Sequence, residues 1–220
     1  DTNAVADIFV RDTQAGTTQR VSVDSSGTQG NALSAFAKIS GNGRYVSFMS
    51  NATNLVAGDT NATNDVFVRD LQAGTTERVS IDSSGTQANG GSTVPGISYD
   101  GRYVVFQSLG TNLVTVDTNG AADIFIHDRV ANTTELISLD TAGSQANGNS
   151  GHEPTRDHPF ISPDGRYVVF MSAATNLVAG DTNAVNDIFV RDRGLTTADP
   201  VTPAPPPPPP PPPVAAVPLS

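Results

Sequence analysis

The segment Asp59-Thr60-Asn61-Ala62-Thr63-Asn64-Asp65-Val66-Phe67-Val68-Arg69-Asp70 occurs in four related copies, starting at Asp1, Asp59, Asp117 and Asp181. The starts lie 58, 58 and 64 residues apart. A fixed period of this length means one supersecondary unit used repeatedly, in which neighbouring units bury the face that each cannot bury alone. Every copy reads as a polar Asp/Asn loop feeding a short, β-branched strand.

The rest of the period supplies three more strands. Ala35 to Ser40 leads through Gly41-Asn42-Gly43 into Arg44 to Met49, and the equivalent turns are Tyr99-Asp100-Gly101 and Pro163-Asp164-Gly165, all hairpin chemistry. We name the strands A (ending at Ile97-Ser98), B (Arg102 to Gln107), C (Asp123 to Asp128) and D (Thr134 to Leu139). The first D-type strand is expected over Gln19 to Asp24, followed by a polar link, Ser25 to Gln29. No gap has room for a helix of normal length. In Arg166-Tyr167-Val168-Val169-Phe170-Met171 both faces are largely apolar, as expected of a sheet covered on both sides. Four-stranded units at a regular period predict an all-β fold, a β-propeller with a repeat of about 58 residues. The expected divisions are a half blade at 1–24, blades at 35–82 and 94–140, a partial blade at 158–200 and a tail at 201–220.

Composition narrows the functional classes. There is no cysteine, so no disulfide staples the fold. The net charge of −10 argues against nucleic acid as a partner and in favour of a cation. No apolar run is long enough for a membrane span. No signal peptide is present, and because the chain opens inside a repeat, an upstream segment is expected to precede it. Pro205 to Pro213 is an unbroken proline run, expected to form a stiff polyproline II spacer, and Val214 to Ser220 resembles the start of a bacterial C-terminal sorting signal.

Two stretches carry a family likeness. Ser162-Pro163-Asp164-Gly165-Arg166-Tyr167-Val168-Val169-Phe170-Met171-Ser172, followed by Asp187-Ile188-Phe189-Val190-Arg191-Asp192, resembles the TolB-like, WD-repeat-like family of propeller repeats, which includes the propellers of tricorn-like and prolyl-oligopeptidase-like peptidases. The resemblance covers roughly Asp1 to Asp192 and implies a platform for binding or gating. The period is longer than is usual in that family. The extra length lies in the connection from Asn-Leu-Val to Asp-Thr-Asn and in the Ser-Gly-Thr-Gln link.

The loop Asp-Thr-Asn-x-x-x-Asp is the candidate site. Asp59, Asn61 and Asp65 offer oxygens to calcium, as do Asp117, Asn119 and Asp123, Asp181, Asn183 and Asp187, and Asp1, Asn3 and Asp7. The rival reading has the same side chains capping their own backbone in Asx-turns. Asp70 is excluded as a ligand, because an extended strand carries it about 16 Å from Asp65. His152, Glu153, Asp157 and His158 form a second cluster, in a segment six residues longer than the equivalent one before it, where Pro154 forbids a helical metal motif and a solvated loop is the plainer reading. His127 stands alone where other copies have arginine, and is read as structural. Arg20, Arg78, Arg44, Arg102 and Arg166 recur with the repeat, which suggests ion pairs or a surface role. There is no Gly-x-Ser-x-Gly elbow and no phosphate-cradling loop. Asn51-Ala52-Thr53, Asn61-Ala62-Thr63 and Asn132-Thr133-Thr134 are formal glycosylation sequons.

These readings converge on a non-enzymatic structural or binding propeller, extracellular, on the cell surface or periplasmic. Its expected partner is itself, head to tail through complementary partial blades, as a six-bladed two-chain ring or a filament; other proteins or glycans are further candidates. The alternatives are a periplasmic TolB-like docking scaffold and a propeller gating a hydrolase domain.

Overall fold

The structure, a computed structural model, describes residues 2–151, 158–183 and 185–194. The expected polyproline run, the D strand after Asp192, and His152 to Asp157 lie outside the described residues, as does Asp1. Among the described residues there are strands and no helix.

Within the described residues thirteen strands form four antiparallel sheets. The first holds β1 (Phe9–Asp12) and β2 (Thr17–Arg20). The second is β3 (Ser34–Ile39), β4 (Tyr45–Ser50), β5 (Asp65–Asp70) and β6 (Thr75–Arg78), in that spatial order. The third repeats it with β7 (Ser92–Ile97), β8 (Tyr103–Ser108), β9 (Asp123–Asp128) and β10 (Thr133–Leu136). The fourth holds β11 (Phe160–Ile161), β12 (Tyr167–Ser172) and β13 (Asp187–Asp192). Each sheet is one blade, whole or partial, and consecutive blades stack face to face.

The pleat explains the stacking. In β5, Val66 and Val68 point to one face and Phe67 to the other. Phe67 pairs with Phe48 of β4, and the same cross-strand pair recurs as Phe106 with Phe125 and Phe170 with Phe189. The three pairs hold their ring centroids 5.8, 6.1 and 5.9 Å apart. Each blade thus has an aromatic face and an aliphatic face. Val66, Val68 and Val79 of the second blade pack on Val104, Phe106 and Phe125 of the third. Ile124, Ile126 and Ile137 of the third pack on Val168 and Phe170 of the fourth. All six side chains of β8 and of β9 are buried, as a sheet covered on both faces requires.

A second contact locks the blades at the A–B turns. The Tyr45 ring lies over Gly101 and is flanked by the guanidinium groups of Arg44 and Arg129, 4.9 and 4.5 Å from its centroid. One blade on, Tyr103 lies over Gly165 between Arg102 and Arg193. A side chain at Gly101 would place its Cβ 2.2 Å from the ring, and the residue sits at φ +77°. Both conditions demand glycine.

Strand D differs from the sequence expectation. It runs over Thr133–Leu136, not Thr134 to Leu139, and over Thr17–Arg20, not Gln19 to Asp24. The chain bends away after one further hydrogen bond, Ile137 N–H to the Ile124 carbonyl. Asp24 explains the turn that follows: its carboxylate accepts from the backbone N–H groups of Ser26 and Thr28 and from the Ser26 hydroxyl, which folds the polar link back on itself. In the long third period, the described residues show Ser150 bridging Ser172 and strand A pairing with β12 at Phe160–Ile161.

Candidate functional site

The Asp-Thr-Asn loops lie at the start of strand C, and the fold brings the first three against the polar link of their own repeat that ends in Gln29, Gln87 or Gln145. Asp65 opens β5 fully buried. Its carboxylate accepts from the Ser80 hydroxyl at 2.6 Å and from the Gln87 amide at 2.7 Å. The same Gln87 nitrogen reaches Asp59 at 2.9 Å, while Gln87 Oε1 accepts from the Thr60 backbone N–H and hydroxyl. Asn61 donates to the Ala88 carbonyl, and its own side-chain oxygen accepts from Thr63 N–H, an Asx-turn. Arg78 completes the cluster, 3.6 Å from Asp59 and 3.5 Å from Asp65. Burial pushes the Asp65 carboxyl above the usual carboxylate range, against the pull of Ser80 and Gln87.

The next blade repeats the set with one change. Asp123 accepts from Ser138 at 2.5 Å, Gln145 at 2.9 Å and Asn119 at 3.0 Å, and Gln145 also reaches Asp117. Burial raises the Asp123 carboxyl too. Arg78, however, is replaced by Leu136. In the first sheet Asp7 receives Ser22, Gln29 and Arg20, and Asn3 bonds the Gly30 carbonyl. In the last, Asn183 donates to Asp187 at 3.0 Å, Val185 N–H donates to Asn183, and Asp181 lies in the same loop.

The described residues of the four predicted sets therefore do come together, and in the first three sets their oxygens face N–H and O–H donors of the chain; Asp181 Oδ1 is buried without a partner among the described residues. A calcium ion at the Asp59 or Asp7 loop would have to displace a glutamine amide and an arginine. At the Asp117 loop it meets no guanidinium, and calcium there stands as a proposal for the titration described below. Among the described residues no group of three or more His, Cys, Asp or Glu side chains is placed to hold a metal. The sequence reading overlooked the serines and glutamines that bind these aspartates. Their signal was available, since Ser22, Ser80 and Ser138 and Gln29, Gln87 and Gln145 recur with the same period.

Asp70 lies at the far end of its strand, chelated by Arg44 at 2.7–3.1 Å, which holds its carboxyl down to about 2. Arg102 with Asp128 and Arg166 with Asp192 repeat the pair. His127 is buried, bonded to the Thr134 hydroxyl at 2.9 Å, and burial lowers its pKa. Of the second histidine cluster only His158 is described; its ring meets Phe36 edge-on.

The two outer faces of the stack are unlike the interior ones. Ile188 and Val190, the aliphatic face of the last blade, are each 64% exposed, whereas Ile124 and Ile126 at the same places are 0% and 1% exposed. Phe9, on the aromatic face of the first sheet, is 52% exposed, where Phe67 and Phe125 are buried.

No family model matches the chain, and no curated protein sequence does. Among solved structures it is similar to a TolB-assigned protein from Agrobacterium tumefaciens, with 18% identity and a TM-score of 0.51, over 85% of this chain and 53% of that one. TolB from Acinetobacter baumannii matches with 16% identity and a TM-score of 0.48, over 84% and 35%. The β-propeller domain of the Trilobed protease from Pyrococcus furiosus matches with 14% identity and a TM-score of 0.39, over 74% and 44%. The chain spans between about a third and a half of the length of the TolB structures. The fold is thus that of a TolB-like β-propeller.

Proposed function

We propose that the chain is a non-enzymatic structural or binding segment of an extracytoplasmic β-propeller protein that associates head to tail with another copy of its own repeat. The observation that carries this reading is the open aliphatic face at Ile188 and Val190, set against the buried Val66 and Val68 and the buried Ile124 and Ile126. Inside the chain, that face is covered each time by the aromatic face of the following blade. Phe9 begins an aromatic face of the same kind. Covering Ile188 and Val190 to the interior level would contribute about 2–4 kcal/mol. Such a contact is heterologous, so copies continue into a ring or a filament.

The pairing within the last sheet bears on the mode of joining. β13 already occupies the free side of β12 along its whole length, from Tyr167 with Asp192 to Ser172 with Asp187. The first sheet therefore cannot add to β12; the contact proposed is face-to-face packing, as between the interior blades, with addition at the other edge of β13 as the alternative. The non-enzymatic reading draws on the buried aspartates, which are bonded inside the repeat framework. Placement outside the cytoplasm draws on the likeness of the fold to TolB-type propellers. Among the described residues no helix is long and apolar enough to cross a membrane.

Sedimentation velocity across a concentration series tests the association. The wild type is expected to form rings or filaments visible by electron microscopy, and Ile188→Lys with Val190→Lys to return it to a folded monomer. A wild-type monomer at every concentration, or assembly untouched by the two lysines, refutes it. A monomer would leave the TolB-like docking scaffold or the gate of a hydrolase as the reading.

A further inference from the structure

The last residue but one of strand C is an arginine in every copy except the third, where Arg11, Arg69 and Arg191 give way to His127. The arginine has two tasks. Arg69 Nη1 donates to the Thr76 hydroxyl of its own blade at 3.1 Å and to the Asp24 carbonyl of the preceding link at 2.9 Å. Arg191 Nη1 reaches the equivalent Asp140 carbonyl at 2.8 Å. Each guanidinium thus straps its blade to the one before. Arg69 and Arg191 are only half-buried, so the place their head groups occupy opens to solvent.

His127 keeps only the first task. Its Nδ1 lies 2.9 Å from the Thr134 hydroxyl. That hydroxyl spends its proton on the Ile81 carbonyl at 2.5 Å, so the ring nitrogen is the donor of the pair. The second task is left undone. Asp24 accepts from Gly27 N–H as well as from Arg69, and Asp140 from Gly143 N–H as well as from Arg191. The Asp82 carbonyl accepts from Gly85 N–H and, among the described residues, from no second donor. Burial lowers the His127 pKa, so near neutral pH the place holds no positive charge of its own. Asp82 and Thr134 both line an open cavity of about 590 Å³, inside the range of about 300–1,000 Å³ found for small-molecule sites. The equivalent cavity one blade earlier, where Arg69 bonds the lining residues Asp24 and Thr76, measures about 310 Å³.

We infer that this cavity binds a guanidinium group from outside the chain, an arginine side chain or a free guanidino compound, which donates to the Asp82 carbonyl as Arg69 and Arg191 donate to its equivalents. Asp82 also brings a negative charge. Its Oδ1 is held by Ser84 and by Thr86 N–H, while its Oδ2 takes no hydrogen bond among the described residues. A planar fork of several donors reaches a carbonyl and a carboxylate together, which the compact ammonium of lysine does not. Thr111 and Thr115 add hydroxyl oxygens, and Val114 offers apolar surface to an aliphatic stem. No basic residue lines the cavity, and an anion would meet Asp82. The other charged groups around His127 are Glu77, Asp128 and Arg129. They are already matched: Arg102 chelates Asp128, and Arg129 is held by Glu77, the Gly101 carbonyl and the Tyr45 ring. The wall and its sequence neighbours all fall within residues 2–151, which are described throughout.

The inference does not rest on end-to-end association, because its residues lie between the second and third blades, away from both outer faces. The test titrates the full chain with Nα-acetyl-arginine amide, methylguanidinium chloride at millimolar concentration, Nα-acetyl-lysine amide and the neutral isostere Nα-acetyl-citrulline amide. Calorimetry gives the affinity, and backbone amide shifts at Ser83, Ser84 and Thr134 locate it. His127→Arg installs the residue of the other blades, whose own head group then takes the Asp82 carbonyl. Asp82→Asn removes the charge and keeps an oxygen for the Ser84 and Thr86 donors. Thermal melting verifies that both fold. The arginine amide is expected to bind the wild type about tenfold more tightly than the lysine and citrulline amides, and to lose about tenfold in each variant, the equivalent of one charge-assisted hydrogen bond. Methylguanidinium binding as tightly as the arginine amide assigns the site to free guanidino compounds, and weaker binding assigns it to an arginine side chain. If His127→Arg does not fold, Asp82→Asn decides alone. The inference is overturned if neither guanidinium probe binds saturably, if the lysine or citrulline amide binds equally well, if affinity is unchanged in the folded variants, or if the shifts lie elsewhere.

Discussion

Asp65 and Asp123 occupy the same place in successive blades, share serine and glutamine partners, and differ in one neighbour, Arg78 against Leu136. Replacing each with alanine therefore separates the hydrogen bonds from the ion pair. In Asp123→Ala the Ser138 hydroxyl loses its acceptor, while Gln145 and Asn119 each lose one bond and keep another, to Asp117 and to the Ala146 carbonyl. A buried donor left unpaired costs about 1–3 kcal/mol. Deleting the carboxylate also removes the desolvation penalty that raises its pKa, so the total is about 3 kcal/mol and not the sum of three full losses. Asp65→Ala adds the loss of a counter-charge for Arg78, whose side chain is only 10% exposed and which retains Asp59 at 3.6 Å. Stranding a nearly buried guanidinium brings the total to about 4–5 kcal/mol. Urea unfolding followed by far-ultraviolet circular dichroism, with the m-value checked for constancy, measures both. A cost below about 1 kcal/mol for Asp123→Ala, or Asp65→Ala costing no more than Asp123→Ala, would refute the reasoning.

Gly101→Ala forces a methyl into the Tyr45 ring at a left-handed backbone position, and should destabilise by about 2–4 kcal/mol, read as a lower melting temperature, whereas Gly85→Ala, with open space around its Cβ, carries only the backbone strain. If calcium occupies the Asp117 loop, EGTA lowers the melting temperature and Asp117→Ala abolishes the shift; if the loop is turn chemistry alone, neither calcium nor EGTA moves it. Stability in acid should follow two opposite signs. Asp70, held at about 2 by Arg44, contributes stability above the ordinary carboxylate pKa that disappears as pH falls through about 2, and Asp70→Asn should flatten that limb. Asp65 and Asp123 are raised by burial, so between the ordinary carboxylate value and their folded values stability increases as pH falls; a pH series of urea midpoints that declines steadily from neutrality in wild type would contradict this.

Most of the architecture was legible because it depends on short-range pattern. The alternation Asp-Val-Phe-Val marks a strand with two different apolar faces, Asp-Gly and Asn-Gly mark the A–B turns, and the period fixes how many times this happens. The ends of strand D were misplaced because β-branched residues continue past the point where Asp24 and its equivalents turn the chain by capping backbone N–H groups, an effect of side-chain geometry that propensity does not register. The chemistry of the Asp loops was half legible. Aspartate and asparagine at those spacings can cap turns or bind a cation, and only the fold decides what else arrives: here a serine 15 residues and a glutamine 22 residues further along the chain. The two stretches that lengthen the period prove to be partners of each other, the Asp-Thr-Asn loop bonded to the Ser-Gly-Thr-Gln link through Gln87 and Gln145. The burial of Gln107 was invisible in the sequence, where a glutamine stands in the place of Met49 and Met171: the surrounding blades leave it only 6% exposed, and burial decides whether a polar side chain can turn to water.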